Sequence, residues 1–262
     1  MFLDAHAEET PFSLALHLWC ASMNRILPLL VSALLLTGHP PAYSASAPTR
    51  LPISSDRYTE REVAGWKVHV NRELLERRVE VGTRALGLLE TKLTELKGFL
   101  PKLALEKLRT VPIWLGVNDY EKPNAVYHPS AKWLREHGFN PDKAQAVEIP
   151  NAAIFIEWST TQPMIVLHEL AHAYHHQVLG HSHSELRTAF ERAQGSGRYE
   201  EVRYVRGGSK RAYALNNVQE FFAEMSEAYF GRNDFFPFTR GELQEHDPEI
   251  CALIERLWTQ PF

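Results

Sequence analysis

The run QPMIVLHELAHAYHHQVLG, residues 162–180, is the stretch on which the predicted fold of this chain depends. Its apolar residues recur at helical spacing, which predicts an α-helix packed into a hydrophobic core. Thr161 or Gln162 is the expected N-cap, Pro163 lies in the expected first turn, and Gly180 is the expected stop. We therefore predict one helix that carries the middle of this run through the core.

Two histidines lie one turn apart in the predicted helix. Residues four apart share a helix face, so His168 and His172 can point at one metal ion. Glu169, between them, can reach a water on that metal. This is the HExxH pattern, in which two imidazoles bind zinc and the glutamate acts as a general base.

A catalytic zinc site usually takes a third protein ligand and leaves one position for water. The metzincin pattern HExxHxxGxxH would need Gly at position 175 and His at position 178. The chain has His175 and Val178 there, so this pattern fails. The third ligand must come from a separate element.

A downstream helix, predicted at residues 217–230, offers three glutamates on related faces. Glu220 and Glu224 are four residues apart, so one can bind the metal while the other orients a histidine ligand. We expect Glu227 to lie at the surface. A glutamate ligand on a helix after HExxH is the gluzincin arrangement.

The segment YALNNVQEFFAE, residues 213–224, resembles the catalytic domain of anthrax lethal factor and its relatives. That family pairs HExxH with a Y-x(6)-E-F-F-A-E segment, and the resemblance covers about residues 160–230. By resemblance, the zinc ligands are His168, His172 and Glu220, the general base is Glu169, the transition-state tyrosine is Tyr213, and the orienting carboxylate is Glu224.

These residues predict a secreted zinc metallopeptidase that holds one Zn²⁺ per chain and acts on a peptide or protein. Glu169 would take the proton of the zinc-activated water and pass it to the leaving amine. Tyr213 would stabilise the oxyanion. Two alternatives remain open: a zinc-binding module without proteolysis, and a helical scaffold in which the motif arose by chance.

Composition is that of a soluble globular protein, with 262 residues, 44% hydrophobic and 23% charged. The net charge of −4, from 28 Lys and Arg against 32 Asp and Glu, gives no reason to expect nucleic acid. The two cysteines, Cys20 and Cys251, cannot form a disulfide framework. We expect Cys251 to lie on the last helix and to pack into the hydrophobic core of the protein.

The first part of the chain has the features of an export signal. Residues 23–47 combine a positive start, an apolar run too short to span a bilayer comfortably, and a small-residue end. Residues 1–22 carry acidic residues and no Lys or Arg, so we interpret them as a gene-model extension. A buried N-terminal helix is the alternative. The mature chain, residues 48–262, would be secreted or periplasmic, with no stable membrane insertion.

We predict an α+β, predominantly helical, zincin-like domain, with an N-terminal lobe (48–150) and a zinc-binding lobe (151–262). The predicted strands are 66–70, 110–117, 145–149 and a hairpin over 199–214 around Gly207-Gly208. The predicted helices are 71–100 with Asn71 as N-cap, 131–137, 184–193, 217–230 capped by Asn216 or Asn217, and 247–258. Residues 152–158 fit a strand or a helix. Strand 145–149 is the candidate sheet edge for a bound peptide.

Five further histidines lie near these motifs. We expect His175, His176, His181 and His183 to face solvent or the substrate cleft, because their spacing fits no closed site with the motif. His128, in a loop with tyrosine and proline, could line the cleft or be an ordinary structural residue, and we favour the second interpretation.

Overall fold

The structure is a computed structural model that describes residues 52–119, 125–180 and 182–259. The predicted extension, residues 1–22, and the predicted signal segment, residues 23–47, lie outside the described residues. Within the described ranges, no helix combines the length and the apolar character needed to cross a bilayer.

A mixed sheet of five strands forms one side of the domain, in the order β1-β2-β3-β5-β4. The strands are β1 (Tyr58–Val63), β2 (Trp66–Asn71), β3 (Ile113–Leu115), β4 (Val126–His128) and β5 (Ala146–Ile149). β2, β3 and β5 run parallel, and β1 and β4 pair antiparallel to their neighbours. The predicted strand 145–149 is confirmed as β5, but its predicted edge position is wrong. The edge strand next to β5 is β4, in a stretch predicted to be a loop.

Ten α-helices are present in the described residues. They are α1 (Arg72–Glu76), α2 (Val79–Phe99), α3 (Lys102–Leu108), α4 (Ala131–Glu136), α5 (Ala152–Trp158), α6 (Ile165–Tyr174), α7 (Ser184–Ser196), α8 (Val218–Phe230), α9 (Arg240–His246) and α10 (Pro248–Thr259). A π-helical turn, His175–Leu179, continues α6. The predicted α+β class with a small sheet is confirmed.

The prediction of one helix over 71–100 is wrong, because the chain folds back between α1 and α2. Asn71 does cap α1, its side chain accepting a hydrogen bond from the Glu73 amide. The two helices then approach each other so closely that a Cβ on Gly82 would lie 2.1 Å from the Leu74 carbonyl oxygen. The spacing of apolar residues carries no information about this contact, because the contact joins residues of two different helices.

The helix that carries HExxH begins later than predicted. Its first residue is Ile165, with no side-chain cap, and Pro163 precedes it. Thr161 and Gln162 donate their amides to the Trp158 carbonyl instead of capping α6. Those residues therefore complete the end of α5, which also decides the ambiguous stretch 152–158 in favour of a helix.

The hairpin is present but shorter than predicted. β6 (Val202–Arg203) pairs with β7 (Ser209–Lys210) across a loop that ends in Gly207 and Gly208, both with positive φ. Strand β3 is likewise shorter than the predicted 110–117. Helices α3 and α9 were not predicted, although a capping box between Thr239 and Glu242 begins α9.

One hydrophobic core joins the sheet to the helices. It extends along the chain from Trp66 to Trp258 and contains residues from both predicted lobes. Val147 of β5 and Leu170 of α6 both belong to it, so the sheet supports the HExxH helix directly. Cys251 is a free, buried cysteine in this core, as predicted.

The other face of the sheet carries a buried group of polar side chains, here called the sheet network: Tyr58, Asp119, His128, Lys143 and Glu148. Lys143 Nζ lies 2.8 Å from Asp119 Oδ2 and also contacts Glu148, and Tyr58 donates to Asp119. His128 Nε2 lies 2.7 Å from Glu148 Oε2. Burial raises the pKa of Glu148, but the hydrogen bond with His128 and the charge of Lys143 outweigh it, and the pKa is lowered.

Candidate metal centre

The HExxH helix is embedded in the protein on almost every side. Nine of the ten residues of α6 are buried, and only His172 is half-buried. Apolar side chains cover most of the helix surface, so His168 and Glu169 of the motif lie in the interior of the protein. His168 is 7% exposed and Glu169 is 6% exposed. Polar groups at that depth need partners or a ligand.

Helix α8 supplies the carboxylates that face α6. The Asn217 side chain caps this helix by accepting from the Gln219 and Glu220 amides, which fixes where its first turn begins. From that start, Glu220, Glu224 and Glu227 follow at spacings of four and three residues on one face. All three are buried, and the described residues contain no lysine or arginine that forms an ion pair with them.

His168, His172 and Glu220 come together as the sequence predicted. Glu220 Oε2 lies 3.0 Å from His168 Nε2 and 3.3 Å from His172 Nε2. The three ligand atoms all lie within 4.8 Å of one another. Bonds of about 2.0–2.1 Å in a tetrahedron separate ligand atoms by about 3.3 Å. Two nitrogens and one carboxylate oxygen at these spacings fit zinc.

A carboxylate also contacts the far side of the His168 ring, and here the structure corrects the sequence. Glu227 Oε1 lies 2.6 Å from His168 Nδ1, whereas Glu224 Oε1 lies 3.9 Å away. The orienting residue is therefore Glu227 rather than Glu224, and Glu227 is 4% exposed rather than at the surface. With Nδ1–H donating to Glu227, Nε2 faces Glu220 and could bind a metal.

These five residues, His168, His172, Glu220, Glu224 and Glu227, form what we call the metal cluster. Burial raises the pKa of Glu224 well above its ordinary value, and Asp234 and Glu227 add to the effect. The pKa of Glu227 is also raised, mainly by burial. Burial lowers the pKa of His168, but hydrogen bonds to Glu220 and Glu227 outweigh it and raise the pKa well above its ordinary value. The ionised forms of Glu224 and Glu227 are thus disfavoured in the metal-free cluster.

Glu169 does not belong to this set of ligand atoms. Its Oε2 accepts a hydrogen bond of 2.7 Å from the backbone amide of Tyr127, in edge strand β4. The sequence placed Tyr127 in a loop and assigned it no role. The sheet therefore holds Glu169, the candidate general base. His168 and His172 face Glu220 instead.

Tyr213 begins a short 3₁₀ turn, Tyr213–Leu215, rather than ending a strand. Its ring centroid lies 6.5 Å from that of His168, and the residue is 37% exposed. The negative charge of Glu220, together with burial of the phenol, raises the pKa of Tyr213. Its hydroxyl therefore stays protonated at neutral pH and can donate a hydrogen bond at the edge of the site.

The remaining histidines have structural partners. His175 is buried and packs its ring against Phe222, contrary to the expectation of solvent or cleft. His176 contacts Tyr127, and His183 accepts the Leu186 amide at the start of α7. His128 belongs to the sheet network, in line with its structural interpretation. His181 lies outside the described residues.

Sequence reasoning missed two residues of this site. Glu227 follows Glu220 by seven residues, two helical turns, and that spacing was available as a signal. Tyr127 contributes its backbone amide, for which no sequence pattern exists. The pairing of His168 with His172, by contrast, follows from motif spacing, and Glu220 follows from the resemblance of residues 213–224.

Comparisons with protein-family models, with curated proteins and with solved structures gave no match. The geometry of the metal cluster, Glu169 and Tyr213 is therefore the basis on which a function can be proposed.

Proposed function

We propose that this protein is a zinc-dependent peptidase of the gluzincin type, with His168, His172 and Glu220 as the metal ligands. The observation that carries the proposal is the convergence of these three side chains, from two helices, on one point in the interior. A structural zinc site needs only ligands. Here a carboxylate at Glu169 and a phenol at Tyr213 also adjoin the ligands, which favours catalysis.

The ligand set suits a catalytic metal because it has three members. When bound, zinc would polarise the scissile carbonyl and lower the pKa of an attacking water to about 7. His168 is oriented for this task by Glu227, which fixes the ring and its tautomer. The His172 side chain is more exposed than that of His168.

Glu169 is the residue that would move protons. It would accept a proton from the attacking water and deliver it to the leaving amine. The hydrogen bond from the Tyr127 amide keeps the carboxylate beside the ligands without making it one. Such acid–base assistance contributes about 10²- to 10⁴-fold in rate.

Tyr213 would act on the carbonyl oxygen. Its protonated hydroxyl can donate a hydrogen bond to the oxyanion that forms when water attacks. The charge of Glu220, which raises the Tyr213 pKa, keeps that proton in place. Losing one such donor typically costs about 10²- to 10³-fold in kcat.

A peptide or protein is the substrate that this arrangement suits. β4 is the terminal strand of the sheet, and its Tyr127 amide already contacts Glu169. An extended peptide can bind beside such an edge as an added strand. This function, together with the export features of residues 23–47, leads us to propose a secreted or periplasmic enzyme, whose N-terminus should lie near Pro48 in the exported protein.

The proposal is tested by digesting a peptide library with wild type, Glu169→Gln and the surface control Glu157→Gln. We expect wild type and Glu157→Gln to cleave the library. Glu169→Gln should retain zinc while losing about 10²- to 10⁴-fold in rate. A zinc-loaded wild type that cleaves no peptide would show a metal-binding module without proteolysis. Equal activity of wild type and Glu169→Gln would contradict the proposed mechanism.

A further inference from the structure

Tyr127 touches the HExxH helix at two separate places. Its backbone amide donates to Glu169 Oε2 at 2.7 Å. Its hydroxyl oxygen lies 2.7 Å from His176 Nδ1 and accepts a hydrogen bond of 2.9 Å from Gln177 Nε2. One residue of the edge strand thus contacts the same helical segment at two points, Glu169 and the pair His176 and Gln177.

The π-helical turn makes the second contact possible. A π-helix takes an extra residue into its turn, which changes the direction of the side chains that follow, and such turns often occur at functional sites. Here the turn begins at His175, directly after α6, and its residues His176 and Gln177 meet the Tyr127 hydroxyl. The irregular helix end is therefore used to reach the strand.

Strand β4 has few other anchors among the described residues. It pairs with β5 through three residues, and β5 is its only neighbour in the sheet. On the opposite face, the His128 ring bonds to Glu148 of the sheet network at 2.7 Å. The strand is thus held by His128 on one face and by Tyr127 on the other. Tyr127 is 6% exposed, so its contacts form away from solvent.

We propose that the Tyr127 side chain is a positioning element for Glu169: by joining β4 to His176 and Gln177, it holds the backbone amide that orients the carboxylate. This inference rests on the proposed function. The amide belongs to β4, so it can orient Glu169 only if β4 is itself fixed in position. Displacements of about 1 Å at a reacting group can cost about 10²-fold in rate, so a small loosening of β4 is enough to matter.

Tyr127→Phe tests this, because it removes the hydroxyl and keeps the amide. Tyr174→Phe is the matched control: Tyr174 is also buried, and its hydroxyl donates to the Leu257 carbonyl at 3.2 Å, away from β4. We expect Tyr127→Phe to lower kcat about tenfold, with a smaller change in KM and with zinc content unchanged. Gln177→Leu should act in the same direction, and Tyr174→Phe should leave kcat unchanged.

Hydrogen exchange of segment 125–130 gives a second readout that needs no substrate. Exchange should be faster in Tyr127→Phe and in Glu169→Ala than in wild type, and unchanged in Tyr174→Phe. Unchanged exchange in the first two variants would overturn the inference, whether or not the protein is a peptidase. Equal kcat for Tyr127→Phe and Tyr174→Phe, in an active wild type, would also overturn it. A wild type that cleaves nothing while exchange responds as expected refutes the proposed function and leaves the Tyr127 contact as a purely structural link.

Discussion

The sheet network and the metal cluster are both buried groups of ionisable side chains, and they balance charge in opposite ways. In the sheet network, Lys143 lies between the carboxylates of Asp119 and Glu148. In the metal cluster, no lysine or arginine of the described residues pairs with the three glutamates, which face His168 and His172 instead.

The pKa directions show the consequence. Glu148 has a lowered pKa despite its burial, because its partners favour the ionised form. Glu224 and Glu227 have raised pKa values, since burial and neighbouring carboxylates disfavour their ionised forms. The sheet network pairs its buried carboxylates with its own lysine. In the metal cluster the ionised forms of two glutamates are disfavoured, and a bound cation would favour them.

The largest expected effect comes from breaking the balance of the sheet network. Lys143→Met would leave Asp119 and Glu148 buried without their common cation, which should lower the free energy of unfolding by about 3–5 kcal/mol. Urea unfolding at neutral pH measures this. Lys67→Met is the control, because Lys67 forms an exposed pair with Glu60 at 3.2 Å, and such pairs contribute about 0–1 kcal/mol. Similar losses in both variants would contradict a structural role for the network.

Metal removal should act on the other region. Zinc at about 100 times its dissociation constant should stabilise the protein by about 2.7 kcal/mol relative to the metal-free form. We expect Glu220→Ala to abolish this increment and Lys67→Met to preserve it. Thermal unfolding with and without a chelator gives the comparison. An increment that survives in Glu220→Ala would place the metal elsewhere.

A smaller effect, on zinc affinity, should distinguish Glu227 from Glu224. Glu227→Gln weakens the hydrogen bond that orients His168 and should weaken zinc binding about 10- to 100-fold. Glu224→Gln should have a smaller effect, since Glu224 Oε1 is 3.9 Å from the ring nitrogen. Competition against a chromophoric chelator measures both constants. The reverse order would restore the assignment of Glu224 made from the sequence.

The smallest effect concerns pH. The folded pKa of Glu148 lies below its ordinary value of 4.5. Its contribution to stability is therefore present above 4.5 and is lost as pH falls through the lower folded pKa. The stability difference between wild type and Glu148→Gln should narrow as pH is lowered from about 6 towards about 3. A difference that widens on acidification would contradict the lowered pKa.

The parts of this structure that the sequence predicted are those set by local rules. The HExxH helix and α8 follow from apolar spacing, and Asn217 is a recognisable cap. Spacing also placed His168 and His172 on one helix face, and the resemblance of residues 213–224 pointed to Glu220 as their partner. Each of these signals lies within one short segment of the chain.

The parts that the sequence missed depend on contacts between distant segments. The choice between Glu224 and Glu227 depends on how α8 packs across α6, which no single helix encodes. The positions of β5 and β4 in the sheet depend on pairing between strands that are distant in sequence. In addition, β4 has only three residues. The helix break at Arg77 and Arg78 brings Gly82 of α2 against Leu74 of α1. In each case the decisive neighbour lies on another element.

The central claim is that His168, His172 and Glu220 hold zinc, and metal analysis of the purified protein tests it most directly. Wild type and Glu220→Ala are stripped, reconstituted with zinc and dialysed before zinc is quantified by mass spectrometry. We predict about one zinc per chain in wild type and a large loss in Glu220→Ala. Wild type that retains no zinc, or Glu220→Ala that retains as much as wild type, would contradict the account.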